Sequence, residues 1–234
     1  MKGLIACQIQ DVNRLATDIL GITLALDAES FSYRAGQYID LVLADGSRRS
    51  FSIANGTCTS STIDVHVREV TGSQFIANVL ETRGKTGSLA IAGPFGELYY
   101  RGEPQAPGSA IILMASGAGF SSIKAIIEAL LETGSQHPVH LYWGGRCGAD
   151  LYLKSWVARV MEMMPCLSFT PVLSDPQPED QWSGRGGNVH QAVMADFPDM
   201  RHCHIYACGA PIVVESARRD FSERCGLPTS QFIA

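Results

Sequence analysis

Short apolar runs separated by Gly, Asp, Ser and Asn fill the first hundred positions of the chain. In one of them Ile63, Val65 and Val67 alternate with polar residues, which is the period of a half-buried strand. The pattern predicts six strands that close into a small antiparallel β-barrel, with one helix over Ser73–Glu81. The predicted strands are Ile5–Gln10, Ile22–Leu26, Tyr38–Leu43, Arg49–Ala54, Ile63–Val67 and Leu89–Ala92.

The apolar pattern is different in the second half. Ala110–Met114 is a continuous apolar run, as expected of a strand buried on both faces, and apolar residues follow at helical spacing from Ile123 to Leu131. Strand-like and helix-like segments then alternate, which predicts βαβ units and a parallel sheet covered by helices. The predicted strands are Val139–Trp143, Leu167–Leu173, His204–Ala207 and Gln231–Ile233, the predicted helices are Leu151–Met163, Asn188–Ala195 and Ile212–Arg224, and Asp175–Gly187 is a predicted exposed loop.

A linker separates the two patterns. Residues 101–108 contain two prolines and two glycines, which is typical of a connection rather than of a helix or strand. We therefore predict a barrel domain over residues 1–102 and an α/β domain over residues 103–234. At 234 residues and 46% hydrophobic content the chain is long and apolar enough for two cores.

Composition excludes several classes of function. The net charge of −5 argues against nucleic-acid binding, and no apolar run approaches the ~20 residues of a membrane-spanning helix. The seven cysteines are odd in number and form no Cys-x-x-Cys pair, which favours reduced thiols over disulfides, zinc or iron–sulfur sites. His202 and His204 would share one strand face without a third ligand nearby. We expect a cytoplasmic protein without a metal site.

Gly117-Ala118-Gly119 lies between a predicted buried strand and a predicted helix. Glycines there let the backbone approach a ligand, and a helix N-terminus offers free N–H groups to a pyrophosphate. The usual dinucleotide fingerprint has a third glycine, which is missing here. The residues alone therefore leave nucleotide binding and a tight structural turn both open.

Two further segments hold candidate residues. Arg49 could clamp a phosphate with both arms of its guanidinium, and Ser52 lies three positions later on the same predicted strand. Cys208-Gly209 follows a buried strand at its carboxyl end, where parallel sheets bind ligands. A solvated barrel strand and a packed core cysteine are the alternatives for these segments.

The order of these motifs resembles the ferredoxin–NADP reductase superfamily, and within it the small NAD(P)H:flavin oxidoreductases. The resemblance extends over nearly the whole chain. It rests on Arg34–Tyr38, Arg49–Ala54, His66–Arg68, Gly93–Gly96, Ser116–Ser121, Tyr142–Arg146 and Cys208-Gly209.

The resemblance implies a flavin-binding barrel followed by an NAD(P)H-binding domain, with Ser52 and Cys208 as the catalytic pair. On the flavin side it implies that Arg49 and Ser73 bind the phosphate and that Phe51, Ser52 and Ile53 line the isoalloxazine ring. It also implies that His66, Val67 and Arg68 lie along the pyrimidine side of the ring. The Phe232 side chain would then supply an aromatic ring beside the flavin. On the nucleotide side it implies Gly117, Ala118, Gly119 and Phe120 at the pyrophosphate, Gly145 and Arg146 at the adenosine, and Cys208 and Gly209 at the nicotinamide.

The implied reaction is hydride transfer from nicotinamide C4 to flavin N5, with NADH or NADPH as donor and FAD or FMN as the flavin. Two features favour a flavin that enters as substrate and leaves reduced: only Thr71-Gly72-Ser73 follows the fifth strand, and residues 55–60 contain no aromatic residue to stack on an adenine. Cys208 favours the alternative, an FAD-containing reductase that passes electrons to a ferredoxin or oxygenase partner.

Overall fold

The computed structural model describes residues 3–27, 31–56, 61–70, 72–102, 104 and 109–234. These residues form two six-stranded sheets, one antiparallel and one parallel. The first half contains β1 (Ile5–Ala16), β2 (Ile19–Leu26), β3 (Tyr38–Leu43), β4 (Arg48–Ser52), β5 (Thr62–Arg68), α1 (Gln74–Glu81) and β6 (Leu89–Phe95). The second half contains β7 (Ala110–Ser116), α2 (Phe120–Glu132), β8 (Val139–Gly145), α3 (Lys154–Met163), β9 (Leu167–Leu173), β10 (Arg185–Gly186), α4 (Val189–Asp196), β11 (Cys203–Cys208), α5 (Pro211–Cys225) and β12 (Phe232–Ile233).

The antiparallel sheet closes into the predicted barrel. Its strand order is β4-β3-β6-β1-β2-β5. The two outer strands meet through an antiparallel bridge between Ile53 and Val65, beside which the Ala54 amide donates to the Asp64 carbonyl at 2.7 Å. Alternate residues of β5 are fully buried. The alternation seen in the sequence therefore corresponds to one face of the strand that packs in the barrel interior.

The parallel sheet carries helices on both faces, as predicted. Its strand order is β10-β9-β8-β7-β11-β12. Residues 111–115 of the central β7 are buried on both faces. Helices α2 and α3 cover one face with a core around Ile126, and α4 and α5 cover the other with a core around Phe221.

The largest differences between the structure and the sequence prediction lie in two strands. β1 runs six residues beyond its predicted end at Gln10, because two bulges let Asp11–Ala16 continue the ladder with β2 while polar side chains face solvent. β10 pairs with the end of β9 inside the segment predicted as an exposed loop. Only two residues long, it is too short to show a strand pattern.

Helix α2 joins the two halves on one side of the molecule. The Lys124 ammonium donates to the Ala54 carbonyl at 2.8 Å and pairs with Glu128 at 2.5 Å. Glu128 in turn accepts the Gly56 amide at 2.8 Å. An ion pair on α2 therefore holds the backbone that follows β4, where the predicted flavin site begins.

Several predictions fall on residues outside the described ranges. Thr71 and residues 57–60 are among them, as are positions 103 and 105–108 of the linker. The domain boundary after residue 102 therefore stays a prediction. Among the helices that the structure describes, none combines the length and the apolarity needed to cross a lipid bilayer.

Leu24 tests how far the barrel interior stabilises the fold. Its side chain is fully buried in the barrel core, whereas Leu4 is 59% exposed. We expect Leu24→Ala to lower the free energy of unfolding by about 2–5 kcal/mol, and Leu4→Ala to change it by less than about 0.5 kcal/mol. Urea unfolding of both variants measures the difference, and equal effects would contradict the expectation.

Candidate active site

A cleft of about 850 Å³ runs between the barrel and the parallel sheet. The carboxyl ends of β7, β8 and β11 form one wall, as expected for a ligand site in a parallel sheet, and the ends of β4 and β5 form the other. Its lining includes Phe51, Ser52, His66 and Arg68 from the barrel, and Gly117, Ala118, Gly119, Gly145, Arg146, Cys208 and Gly209 from the α/β domain. The cleft therefore collects most of the predicted site residues from both halves.

The turns after β7 and β11 touch through two glycines. A Cβ atom on Gly119 would lie 2.5 Å from the Cys208 carbonyl oxygen and 2.6 Å from the Gly209 nitrogen. Gly209, at φ +154°, would place a Cβ 2.5 Å from the Ser116 Cβ. Only hydrogen fits at either position, and this close approach leaves backbone rather than side chains facing the cleft.

The turn at Gly117 is held from behind by aromatic rings. The Trp143 indole N–H donates to the Gly117 carbonyl at 3.1 Å, and the Phe120 ring stacks on Trp143 with centroids 3.7 Å apart. Phe120 is fully buried and does not line the cleft. Its predicted place against the cofactor is corrected to a place in the core, because the first turn of α2 points it inward.

Cys208 lies at the junction of the two domains. Its Sγ is 3.5 Å from the Ser122 Oγ, and Ser52 of the barrel lines the same cleft. Burial raises the pKa of the Cys208 thiol, against a smaller opposing effect of hydrogen bonds. The group is therefore a neutral thiol at neutral pH, suited to packing beside a ring and not to nucleophilic attack.

Arg49 and Ser73, distant in sequence, are neighbours in the structure. The Arg49 guanidinium donates to the Ser73 hydroxyl at 3.1 Å and lies 5.3 Å from the Phe75 ring centroid, at the start of α1. The Phe51 ring stacks on the same Phe75 ring, with centroids 6.4 Å apart. Arg49 and Phe51 thus share one side of β4, as the strand period requires.

His66 and Arg68 project from β5 towards the α/β domain. The His66 Nδ1 is 2.9 Å from the Tyr152 hydroxyl, and burial, followed by the charge of Lys124, lowers the pKa of His66 to about 3. The Arg68 guanidinium pairs with Asp150 at 3.0 Å and with Asp18 of the barrel at 3.4 Å. The imidazole is therefore neutral at physiological pH, while the guanidinium is partly neutralised by its two partners.

Three other predicted site residues have their side chains in a core. Ile53 and Val67 are fully buried inside the barrel, so only their backbone atoms can face a ligand. Phe232 belongs to β12, which pairs with β11, and its ring packs on Phe221 with centroids 6.1 Å apart. The structure therefore does not bring the Phe232 ring to the cleft, and its predicted place beside a flavin is corrected.

Gly145 and Arg146, two of the predicted site residues, also line the cleft. A Cβ on Gly145 would lie 2.7 Å from the Asp150 Cβ, and Asp150 accepts the Arg146 amide at 2.7 Å. The Arg146 side chain is 81% exposed and lies 3.8 Å from Asp175. Its guanidinium is therefore available to a ligand, but beside an acidic group.

A second cleft of about 510 Å³ shares part of its lining with the first. Ser52, Cys208 and Gly209 line both clefts. Tyr38, Glu97 and Arg218 are among the residues found only in the second. The junction of Ser52 and Cys208 is thus open to both clefts.

Sequence reasoning missed Asp150, Tyr152 and Ser122. Asp150 and Tyr152 were placed at or before the start of a predicted helix, yet α3 begins only at Lys154, after a 3₁₀ turn over Gly148–Asp150. The local sequence around Asp150 and Tyr152 does not indicate a site. Their partners on β5 are far away in sequence, because Arg68 is 82 positions from Asp150 and His66 is 86 positions from Tyr152. Ser122 is buried in the first turn of α2, where nothing in the sequence pattern distinguishes it from its neighbours.

The cleft suits a flavin and a nicotinamide nucleotide. The two glycine turns provide a cradle that a Cβ would fill. Arg49 and Ser73 do not line this cleft, but Arg49 lies on the same Phe75 ring as Phe51, which does, and the pair offers donors to a phosphate there. Ser52 and Cys208 line the same cleft beside this cradle, where a flavin ring and a nicotinamide ring could stack.

Comparison with known proteins agrees with this chemistry. Residues 6–100 match the oxidoreductase FAD-binding domain, and residues 113–219 match the oxidoreductase NAD-binding domain. The chain is 34% identical to the CDP-6-deoxy-L-threo-D-glycero-4-hexulose-3-dehydrase reductase of Yersinia pestis, over 97% of this chain and 67% of that protein. It is 29% identical to the NAD(P)H-flavin reductase of Aliivibrio fischeri, over 93% and 92% of the two chains.

Among solved structures, the cytochrome P450 reductase GcoB of Amycolatopsis superposes with a TM-score of 0.85 at 28% identity, covering 100% of this chain and 70% of that one. The fold, the two domain matches and these relatives together show that the chain belongs to the ferredoxin–NADP reductase superfamily and is an NAD(P)H-dependent oxidoreductase that uses a flavin.

Proposed function

We propose that the protein transfers hydride from C4 of NADH or NADPH to N5 of a flavin at the junction of its two domains. The observation that carries this proposal is that Ser52, from the barrel, and Cys208, from the nucleotide-binding domain, line the same two clefts. Ring stacking at this point would join the two cofactors directly. When bound, the flavin supplies the redox chemistry by taking up two electrons and one proton as hydride.

On the flavin side, the chain's residues would bind and orient the ring. Arg49 and Ser73 would hold the phosphate with charge-assisted hydrogen bonds, and Phe51 would provide an apolar surface. The Ser52 hydroxyl would form a hydrogen bond, as donor or acceptor, with the N5 edge of the flavin ring. His66 and Arg68 would contact the polar side of the ring, as their position on the cleft wall supports.

On the nucleotide side, backbone groups would carry most of the binding. The turn over Gly117–Gly119 faces the cleft at the start of α2, where N–H groups favour a pyrophosphate. Gly145 and Arg146 would contact the adenosine half. Cys208 and Gly209 would lie against the nicotinamide, and the neutral thiol would exclude water there without competing for the hydride.

The electrons that reduce the flavin could leave the protein by one of two routes. In the first, reduced FAD or FMN leaves the protein, as the similarity to an NAD(P)H-flavin reductase supports. In the second, FAD stays bound and electrons pass to a ferredoxin or oxygenase partner. The second cleft favours this candidate, because it gives a partner access to Ser52 and Cys208 without displacing NAD(P)H, and GcoB is itself a cytochrome P450 reductase.

We also propose that the protein works in the cytoplasm. The six cysteines that the structure describes are free thiols, which is the form that a reducing compartment maintains.

The colour of the purified protein separates the two fates. We expect a nearly colourless preparation that oxidises NADH or NADPH only when riboflavin, FMN or FAD is added. The visible spectrum and the rate of NAD(P)H oxidation with each flavin measure this. A yellow protein with stoichiometric FAD that reduces a ferredoxin would favour the second candidate, and a lack of NAD(P)H oxidation with every flavin would contradict the proposed function itself.

Arg49 is expected to discriminate flavins by their phosphate. Arg49→Ala should raise the KM for FMN and FAD about tenfold, because a charge-assisted contact is lost. It should leave the KM for riboflavin, which has no phosphate, within about twofold. Arg48→Ala removes a neighbouring charge that has no described contact with Ser73, and serves as the control. An equal effect on all three flavins would show that Arg49 does not bind phosphate.

Gly119 is expected to control the affinity for NAD(P)H. In Gly119→Ala the new methyl group would push the turns after β7 and β11 apart, so we expect the KM for NAD(P)H to rise at least about tenfold, as close positioning is lost. Gly3→Ala, where nothing lies within 4 Å of the added Cβ, is the matched control. Initial-rate kinetics at saturating flavin measure the effect, and an unchanged KM would argue against a nucleotide at this turn.

A further inference from the structure

Two side chains of the barrel form polar contacts with two side chains of the nucleotide-binding domain. His66 and Arg68 lie two positions apart on β5 and so share a face. They contact Tyr152 and Asp150, which are also two positions apart, at 2.9 Å and 3.0 Å. These two contacts, here named the interdomain clasp, lie on the wall of the cleft where the flavin is proposed to bind.

The Tyr152 hydroxyl has little freedom to turn elsewhere. The Tyr152 ring packs edge-on against Trp143, with centroids 5.3 Å apart and planes at 86°, and against Phe120 at 6.3 Å. It meets the His66 ring itself at 5.5 Å and 80°. The aromatic cluster behind the Gly117 turn therefore fixes the direction of the hydroxyl.

The position of the protons follows from this geometry. Burial keeps His66 neutral at physiological pH, so its ring carries one N–H. Within the described part of the chain, the Tyr152 hydroxyl has His66 as its hydrogen-bond partner. If Nδ1 carried the proton, the tyrosine hydroxyl would accept that bond and its own hydrogen would have no acceptor. Donation from Tyr152 to Nδ1 satisfies both groups and leaves the proton on Nε2.

The protonated Nε2 is available to a ligand. His66 lines the cleft, and none of the buried polar atoms without a partner in the described residues belongs to it. Its Nε2 therefore reaches the cleft.

We propose that Tyr152 is a positioning residue that fixes His66 in the Nε2–H tautomer, so that the barrel presents an N–H donor to the polar edge of the flavin ring. The identity of the ligand as a flavin rests on the proposed function. The tautomer of His66 does not, because it follows from the contact with Tyr152. Asp150 acts in parallel by holding the Arg68 guanidinium beside the same edge. A donor placed there favours the reduced flavin over the oxidised one, because reduction adds negative charge to that edge.

The tautomer can be read without any flavin. The ¹⁵N shifts of the two ring nitrogens distinguish the three protonation states of a histidine, and His66→Asn identifies the His66 signals among the six histidines. We expect wild type to hold His66 as Nε2–H alone, and Tyr152→Phe, which loses only the hydroxyl, to give a mixture of both tautomers. An Nδ1–H or doubly protonated His66 in wild type, or an unchanged tautomer in Tyr152→Phe, would overturn the inference.

Flavin affinity tests the consequence. We expect Tyr152→Phe to raise the Kd of reduced FMN by the inverse of the fraction of His66 that remains Nε2–H, about twofold for an even mixture. The Kd of oxidised FMN should rise by a smaller factor, because the oxidised ring has less negative charge at that edge. Tyr142→Phe is the control, because it loses a hydrogen bond to Asp196 away from the cleft, and both affinities should stay unchanged.

The outcomes separate this inference from the proposed function. An unchanged ratio of the two Kd values in Tyr152→Phe overturns the positioning role while the proposed function stands. Failure of the wild-type protein to bind any flavin overturns the proposed function and the role of Nε2 as a donor to flavin, while the ¹⁵N shifts still decide whether Tyr152 fixes the tautomer.

Discussion

The active-site architecture depends on one close approach, between the turn that follows β7 and the turn that follows β11. Neighbouring parallel strands bring these turns together, and the absence of side chains on Gly119 and Gly209 lets their backbones touch. A methyl group at either position would separate the turns. The place of Cys208, the cradle at Gly117 and the opening of the cleft all follow from this contact.

Polar contacts then set the barrel against the nucleotide-binding domain around this fixed point. On one side, the ion pair of Lys124 and Glu128 holds the backbone that leaves β4. On the other, Asp150 and Tyr152 hold side chains of β5. Since the flavin and the nucleotide are proposed to bind on opposite walls, these contacts determine how the two cofactors would face each other. Asp150 also caps the turn that contains Arg146, so one carboxylate contacts both halves of the site.

The fold could be predicted from the sequence because its signals are local. The alternation in β5 and the continuous apolar run of β7 each appear within a few residues. The order of motifs also placed the cleft at Ser52, Gly117 and Cys208. Side-chain direction was harder to predict: Phe120 and Phe232 point into cores, because helix phase and strand pairing decide where a ring lies.

Contacts between distant segments could not be predicted at all. Tyr152 and His66 are separated by 86 positions, and nothing in either segment indicates the other. The same holds for Lys124, whose bond to the Ala54 carbonyl spans 70 positions. Such contacts depend on how the two domains meet, which propensity and periodicity do not encode.

The Trp143 indole has a consequence for how this protein can be observed. It is fully buried, stacked on Phe120, and hydrogen-bonded to the carbonyl of Gly117. Indole emission responds to the polarity around the ring and to the strength of its N–H bond, so any displacement of that turn changes the light that Trp143 emits. The chain thus carries a natural optical probe directly behind its cleft, at a position where an attached dye would not fit.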